Sequence, residues 1–196
     1  MRADALDASE VVRTKTGSAF DTVLGGGVPK GAALLIWGKS GSGKTRITMR
    51  LCEKLFPAVF VSLELPADDS AKLLDQLGVP RNQVWVTRER AWRDAALAVR
   101  PKLVVVDSIS VFEHGATEEM RLSFEWAHAH GVTVACVCHA TTDGKAKGGT
   151  GPVHWSDAAL VVKSKGRGAV TIDTPAKNRF GPTGPGRPVG RSTIVL

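Results

Sequence analysis

The sequence predicts an α/β fold, with a mostly parallel central sheet, helices on both faces and an antiparallel strand extension near the C-terminus. Three observations carry this. A strand, a glycine loop and a helix follow one another between Ala32 and Phe56. Apolar runs of strand length then alternate with helical periodicity as far as Cys138. Those runs are apolar almost throughout, as strands covered on both faces are, and do not alternate apolar with polar.

The elements follow in order. Gly25, Gly26, Gly27 and Pro29 make a turn-rich lead into the apolar run Ala32 to Trp37, which reads as the first long strand. Gly38 to Gly43 break the pattern, and Lys44 to Phe56 places Ile47, Leu51 and Leu55 at helical spacing. Ala58 to Leu63 is a second buried-type strand, and Ala67 to Leu77 a helix that stops at Gly78. Gln83 to Val86 reads as a short strand, Glu89 to Val99 as a helix halted before Pro101, and Leu103 to Val106 as a strand ending at Asp107. Glu118 to His130 is then a helix and Val132 to Cys138 a strand. Beyond Thr141, glycine and lysine dominate Asp143 to Gly151, a loop expected to be mobile. Ala158 to Val162 and Ala169 to Thr174 read as two strands joined by a turn at Ser164, Lys165 and Gly166, with Arg167 exposed beside it.

The 196 residues suit a single domain, with residues 1–20 as an N-terminal segment and 182–190 as a loose Pro/Gly-rich loop. Apolar residues at 43% and charged residues at 23% exclude a disordered chain, and no apolar run is long enough to cross a bilayer, so no membrane partner is expected. The opening MRADALDASE carries acids where an export signal has a basic start and an apolar stretch, which points to the cytoplasm. Cys52, Cys136 and Cys138 read as reduced core thiols, with a metal or redox Cys-x-Cys as the alternative. Of the five tryptophans, Trp37 and Trp85 are expected in the core and Trp126 on a helix face. A net charge of +7 favours an anionic partner, nucleic acid first.

The chemistry centres on GKSGSGKT, Gly38, Lys39, Ser40, Gly41, Ser42, Gly43, Lys44 and Thr45, which satisfies G-x-x-x-x-G-K-[ST] between a strand and a helix. Backbone N–H groups of such a loop wrap phosphates at a helix N-terminus, Lys44 reaches the β/γ-phosphates and Thr45 offers its hydroxyl to Mg²⁺. Asp107 closes LVVVD as the acid that completes the Mg²⁺ environment, although a strand-end acid also serves as a helix cap or turn residue. Glu64, after FVSL, can orient the attacking water, or simply stand as an acid at a helix N-terminus. His139 ends VACVCH either as a γ-phosphate sensor or as a satisfied polar strand end. Lys145 and Lys147 lie in a basic loop without interleaved aromatics, which suits contact with a nucleic-acid backbone more than base stacking; a solvated loop is the bland alternative. No Asn-Lys-x-Asp segment follows the strands, which leans the nucleotide toward ATP.

From about Phe20 onward the chain resembles the RecA-like P-loop ATPases, and within them the bacterial RadA (Sms) branch of DNA recombination and repair. FDTVLGGGVPKGAALLIWGKSGSGKT, FVSLE, LVVVDSIS, CHATTDGK and HWSDAALVV each look like the corresponding family segment. KNRFG, Lys177 to Gly181, looks like the branch's own signature. The resemblance implies a RecA-like fold, ATP and Mg²⁺ as ligands, ATP hydrolysis, single-stranded DNA as partner, and a homo-oligomeric ring or filament. It makes Lys177 and Arg179 candidates for contact with a neighbouring subunit's γ-phosphate or with DNA. Without it, the same stretch reads as a solvated basic turn with Phe180 tucked into the core. Two other functions stay open: a KaiC- or RadB-like regulatory ATPase acting through protein partners, and a small-molecule kinase. The pattern also departs from the family at Ser42, Gly43, Leu65 and Pro66 and in the short link Gly148 to Gly151. Neither a zinc module with CxxC pairs nor a Lon-protease-like domain is expected from this chain.

Overall fold

The structure, a computed structural model, describes residues 11–112, 114–166, 169–181, 183 and 194–195. One sheet of eight strands dominates: β3 (Ala33–Gly38), β4 (Ala58–Ser62), β5 (Val84–Thr87), β6 (Leu103–Asp107), β7 (Thr133–His139), β8 (Ala158–Gly166), β9 (Ala169–Asn178) and β10 (Ile194–Val195). Their order is β10-β9-β8-β3-β7-β6-β4-β5. The six from β5 to β8 run parallel, while β8–β9 and β9–β10 pair antiparallel. A two-stranded ribbon, β1 (Arg13–Thr14) with β2 (Val28–Pro29), stands apart.

The apolar strands are explained by their two covered faces. In β3, Leu34 and Ile36 enter one core with Phe20, Met49, Leu51 and Leu74, while Ala33, Leu35 and Trp37 enter the other with Trp92, Phe124 and Ala127. Helices α1 (Ala19–Val23), α2 (Lys44–Lys54) and α3 (Ala67–Leu77) thus cover one face, and α4 (Trp92–Val99) and α5 (Ala116–His130) the other. Gly78 ends α3 in the left-handed region at φ 68°, as the sequence predicts. Among the described residues no helix is long and apolar enough to cross a membrane.

Three expectations need correction. β8 and β9 are longer than predicted: Ser164, Lys165 and Gly166 belong to β8, and Lys177 and Asn178 to the end of β9. Reading strands from apolar residues stops at polar ones, whereas a ladder between two strands continues past them. Arg167 and most of the loop at 182–190 lie outside the described residues. Trp85 is not a core residue but 48% exposed on edge strand β5. The glycine-rich loop after β7 is anchored, not free: Ala140 bridges Ala146, the Trp37 indole donates to the Gly144 carbonyl at 3.2 Å, and Ala146 is buried. Its last residue opens a short helix, α6 (Gly151–Trp155). The sequence also gave no sign of α1, where Ser18 caps the helix and the Asp21 carboxylate accepts from the Thr16 and Gly17 N–H groups.

Candidate active site

Gly38, Ser62, Asp107 and His139 all end parallel strands, so the carboxyl edge of the sheet gathers their chemistry. At Gly38 a side chain is impossible: a Cβ there would stand 2.3 Å from the Val162 carbonyl oxygen and 2.7 Å from Ser42 Oγ. The loop then turns through Gly41 and Gly43, at φ 71° and 92°, and delivers Lys44 as the first residue of α2. Lys44 Nζ donates to the carbonyls of Gly38 and Lys39, both at 3.0 Å. Burial lowers the affinity of this amine for its proton, against the pull of Asp107 and Glu64. A concavity of about 440 Å³ lies beside the loop, lined on its far side by Ala140, Gly144, Val161 and Lys163, which is room for a nucleotide.

Asp107 is 5% exposed. Burial pushes its carboxyl up to about 6, opposed by the Thr45 hydroxyl hydrogen-bonded to it and raised further by the Glu64 charge. Its Oδ2 is buried without a hydrogen-bond partner among the described residues. A buried, unpaired carboxylate oxygen next to a hydroxyl at a helix start is a hard-oxygen donor pair, and it fits Mg²⁺.

Glu64 lies on a pinned turn after β4. Ser62 Oγ donates to the Leu65 carbonyl at 2.9 Å, Ser70 Oγ donates to Ser62 Oγ at 3.0 Å, and Leu63 N–H donates to the Asp107 carbonyl at 2.7 Å. Glu64 Oε1 takes a hydrogen bond from Ser108 Oγ at 2.7 Å and pairs with His139 Nε2 at 2.9 Å. Burial pushes this carboxyl up, but the hydrogen bonds from Ser108 and His139, with Lys44 nearby, outweigh it and hold the group below the usual glutamate range. The result is an ionised carboxylate, 39% exposed, that can hold or accept from a water molecule. Ser108 is the residue sequence reasoning missed; its only signal was the hydroxyl following the strand-end acid.

The other candidates lie elsewhere. Lys145 pairs with Asp143 at 3.3 Å on the exposed loop, and Lys147 Nζ donates to the Ser110 carbonyl at 3.2 Å close to His139. Lys177 and Arg179 stand at the opposite, amino edge. Asn178 is paired with Ala158, which is paired with Leu34, four residues or roughly 13 Å of strand before Gly38. Lys177 Nζ bonds the His154 carbonyl, and Arg179 Nη1 donates to Asp157 Oδ1 at 3.0 Å. Phe180 packs against the core cluster holding Phe20 and Val23. The structure therefore brings Lys44, Thr45, Glu64, Asp107 and His139 together and leaves Lys177 and Arg179 outside their reach. Burial pushes all three cysteine thiols up, and among the described residues no three His, Cys, Asp or Glu side chains gather as a metal cage.

The parallel sheet, the phosphate loop, the strand-end acid Asp107 and the antiparallel extension together give a RecA-like α/β P-loop fold. Within that class the sequence is similar to bacterial proteins named DNA repair protein RadA. It is 29% identical to that of Escherichia coli over 194 residues, covering 90% of this chain and 42% of that protein. For Brucella abortus the identity is 31% over 189 residues, covering 85% and 40%, and for Bacillus subtilis 29% over 198, covering 91% and 43%. The chain thus spans about two fifths of the length of these curated relatives. Among solved structures, a KaiC-like protein from Pyrococcus horikoshii shares the fold, with TM-score 0.74, 18% identity, and coverage of 95% of this chain and 100% of that one. No family model matches the chain.

Proposed function

We propose that this chain is a single-domain, cytoplasmic ATPase of the RadA type that hydrolyses ATP as a homo-oligomer, ring or filament, and acts on single-stranded DNA in recombination, repair or branch migration. The observation that carries it is the carboxylate of Glu64, kept ionised by Ser108 and His139 opposite the phosphate-binding Lys44. A P-loop needs only phosphate binders to hold a nucleotide; a positioned, charged base is what hydrolysis adds. The relatives' name, DNA repair protein RadA, supports the DNA reading.

In this mechanism the loop from Gly38 to Thr45 wraps the triphosphate and Lys44 holds its β- and γ-phosphates. Thr45 and Asp107 would hold Mg²⁺, which neutralises phosphate charge when bound. Glu64 orients a water for attack in line with the leaving group and accepts its proton. His139, bonded to that same carboxylate, couples its position to the presence of the γ-phosphate. Lys177 and Arg179 lie too far from their own phosphate loop to act in cis, so any contact with a γ-phosphate is with a neighbour's, where a cation offsets charge developing in the transition state. Lys145 and Lys147 contact the DNA backbone, without reading bases.

The test is ATP turnover with and without single-stranded DNA, for wild type, Glu64→Gln and Arg179→Ala. DNA is expected to raise the wild-type rate. Glu64→Gln is expected to lower kcat by about 10²–10⁴ with nucleotide binding retained. A rate unmoved by DNA and by Arg179→Ala would remove the DNA and trans-acting parts of the proposal.

A further inference from the structure

We infer that Asp157 is the positioning residue that presents Arg179 to the phosphates of a second copy of this chain; this rests on the trans-acting reading of Arg179 given above. Asp157 stands one residue before β8 and is 6% exposed. Its carboxylate uses both oxygens. Oδ1 accepts from Arg179 Nη1 at 3.0 Å, while Oδ2 accepts from the Ala33 N–H at 2.9 Å and pairs with His128 Nε2 at 2.8 Å. Its backbone is tied to the same neighbours: Asp157 N–H donates to the Ala33 carbonyl at 2.7 Å, and its own carbonyl accepts from Arg179 N–H at 2.9 Å. Ala33 begins the strand that carries the phosphate loop, and His128 belongs to α5. One carboxylate thus fixes Arg179 to the central strand β3 and to helix α5.

The segment HWSD, His154 to Asp157, holds both cations of KNRFG: the His154 carbonyl takes Lys177 Nζ and Asp157 takes Arg179. Asn178 completes the frame by donating from Nδ2 to the Val23 carbonyl at 2.6 Å and accepting from Phe180 N–H at 3.0 Å. The Arg179 side chain remains 60% exposed, open to contact from another chain. An ordinary surface ion pair contributes little to stability, and Asp157 has two other donors without the arginine. What the pairing does achieve is a guanidinium fixed in direction before any partner arrives, which removes most of the ordering cost of a trans contact.

Mixed-copy ATPase assays separate the possibilities. A Lys44→Ala copy supplies Arg179 but cannot bind phosphate; an Arg179→Ala copy has the reverse defect. Mixed at equal concentration they are expected to recover turnover that neither shows alone. Adding Asp157→Asn to the Lys44→Ala copy is expected to lower the recovered kcat about tenfold with KM for ATP unchanged. Adding it instead to the Arg179→Ala copy is expected to leave the recovered rate as it was, because that copy's arginine is already gone. Melting temperature and co-elution of the two copies confirm that each variant folds and assembles. If Asp157→Asn lowers the rate equally in either copy, its role is structural and the inference fails. Unchanged recovery with the change in the Lys44→Ala copy also overturns it, while leaving the trans reading standing. No recovery in the parent mixture overturns both.

Discussion

The Mg²⁺-binding role proposed for Asp107 comes at the expense of stability. Its carboxyl is moved from the ordinary 3.8 to about 6, chiefly by burial. The folded chain therefore holds this proton more tightly than the unfolded one, and its stability falls as pH rises from about 4 to 6. The shift corresponds to a cost on the order of 3 kcal/mol above pH 6. Asp107→Asn is expected to raise the melting temperature of the nucleotide-free protein by a few degrees at pH 7.5 and by nothing at pH 4. It is also expected to abolish the extra stabilisation that Mg²⁺ adds to bound ATP. Thermal scans at the two pH values, with and without Mg²⁺-ATP, check both. Asp107 was legible as a strand-end acid beside a phosphate loop, because that pattern is local. Its partnerless Oδ2 was not, because burial of a particular oxygen depends on the packing of β6 between β4 and β7.

At the scale of elements, the glycine turn before β2 and the KNRFG segment form one assembly, although they lie far apart in sequence. Gly25 sits at φ 71°, and a Cβ there would stand 2.2 Å from the Phe180 carbonyl oxygen; at Gly181 a Cβ would stand 3.0 Å from the Val23 carbonyl oxygen. Gly25→Ala thus meets both a left-handed backbone and a backbone clash, and Phe180 cannot retreat without moving Arg179. The substitution is expected to lower stability by roughly 2–4 kcal/mol, read as a fall in melting temperature, and to reduce turnover while nucleotide binding at the phosphate loop persists. Intact turnover in a folded Gly25→Ala protein would show that the two segments are uncoupled. Strand, loop and helix were readable from Ala32 to Leu77 because each carries its own periodicity and its own stop. The length of β9, the anchoring of the loop by Trp37 and the exposure of Trp85 were not. Each depends on another part of the chain: β8 for the ladder, β3 for the indole, and β5's place at the end of the sheet among the described residues for the edge.

At the scale of the whole molecule, the proposed trans contact makes the sheet separate two half-sites. Its carboxyl edge holds Lys44, Thr45, Glu64, Asp107 and His139, and its amino edge holds Lys177 and Arg179 at the end of β9. The parallel run from β3 to β8 followed by the antiparallel return of β9 dictates this separation, since a strand that comes back must finish where its partner began. Both motifs were legible, but the distance between them was not, because it depends on β8 running parallel to β3. On the proposed trans reading, such a chain completes a site only against another copy, with its two edges meeting head to tail, as in a ring or filament. The rate per chain is then set by the fraction of chains with a neighbour. Specific ATPase activity is expected to climb with protein concentration and to level off once assembly is complete, tracking the appearance of larger species in size-exclusion chromatography with ATP and Mg²⁺. Arg179→Ala is expected to assemble with the same concentration dependence but to stay on the low, flat baseline. A wild-type rate per chain that is constant from nanomolar to micromolar protein would mean that each chain carries a complete site, and the division of labour between the two edges would then have to be abandoned.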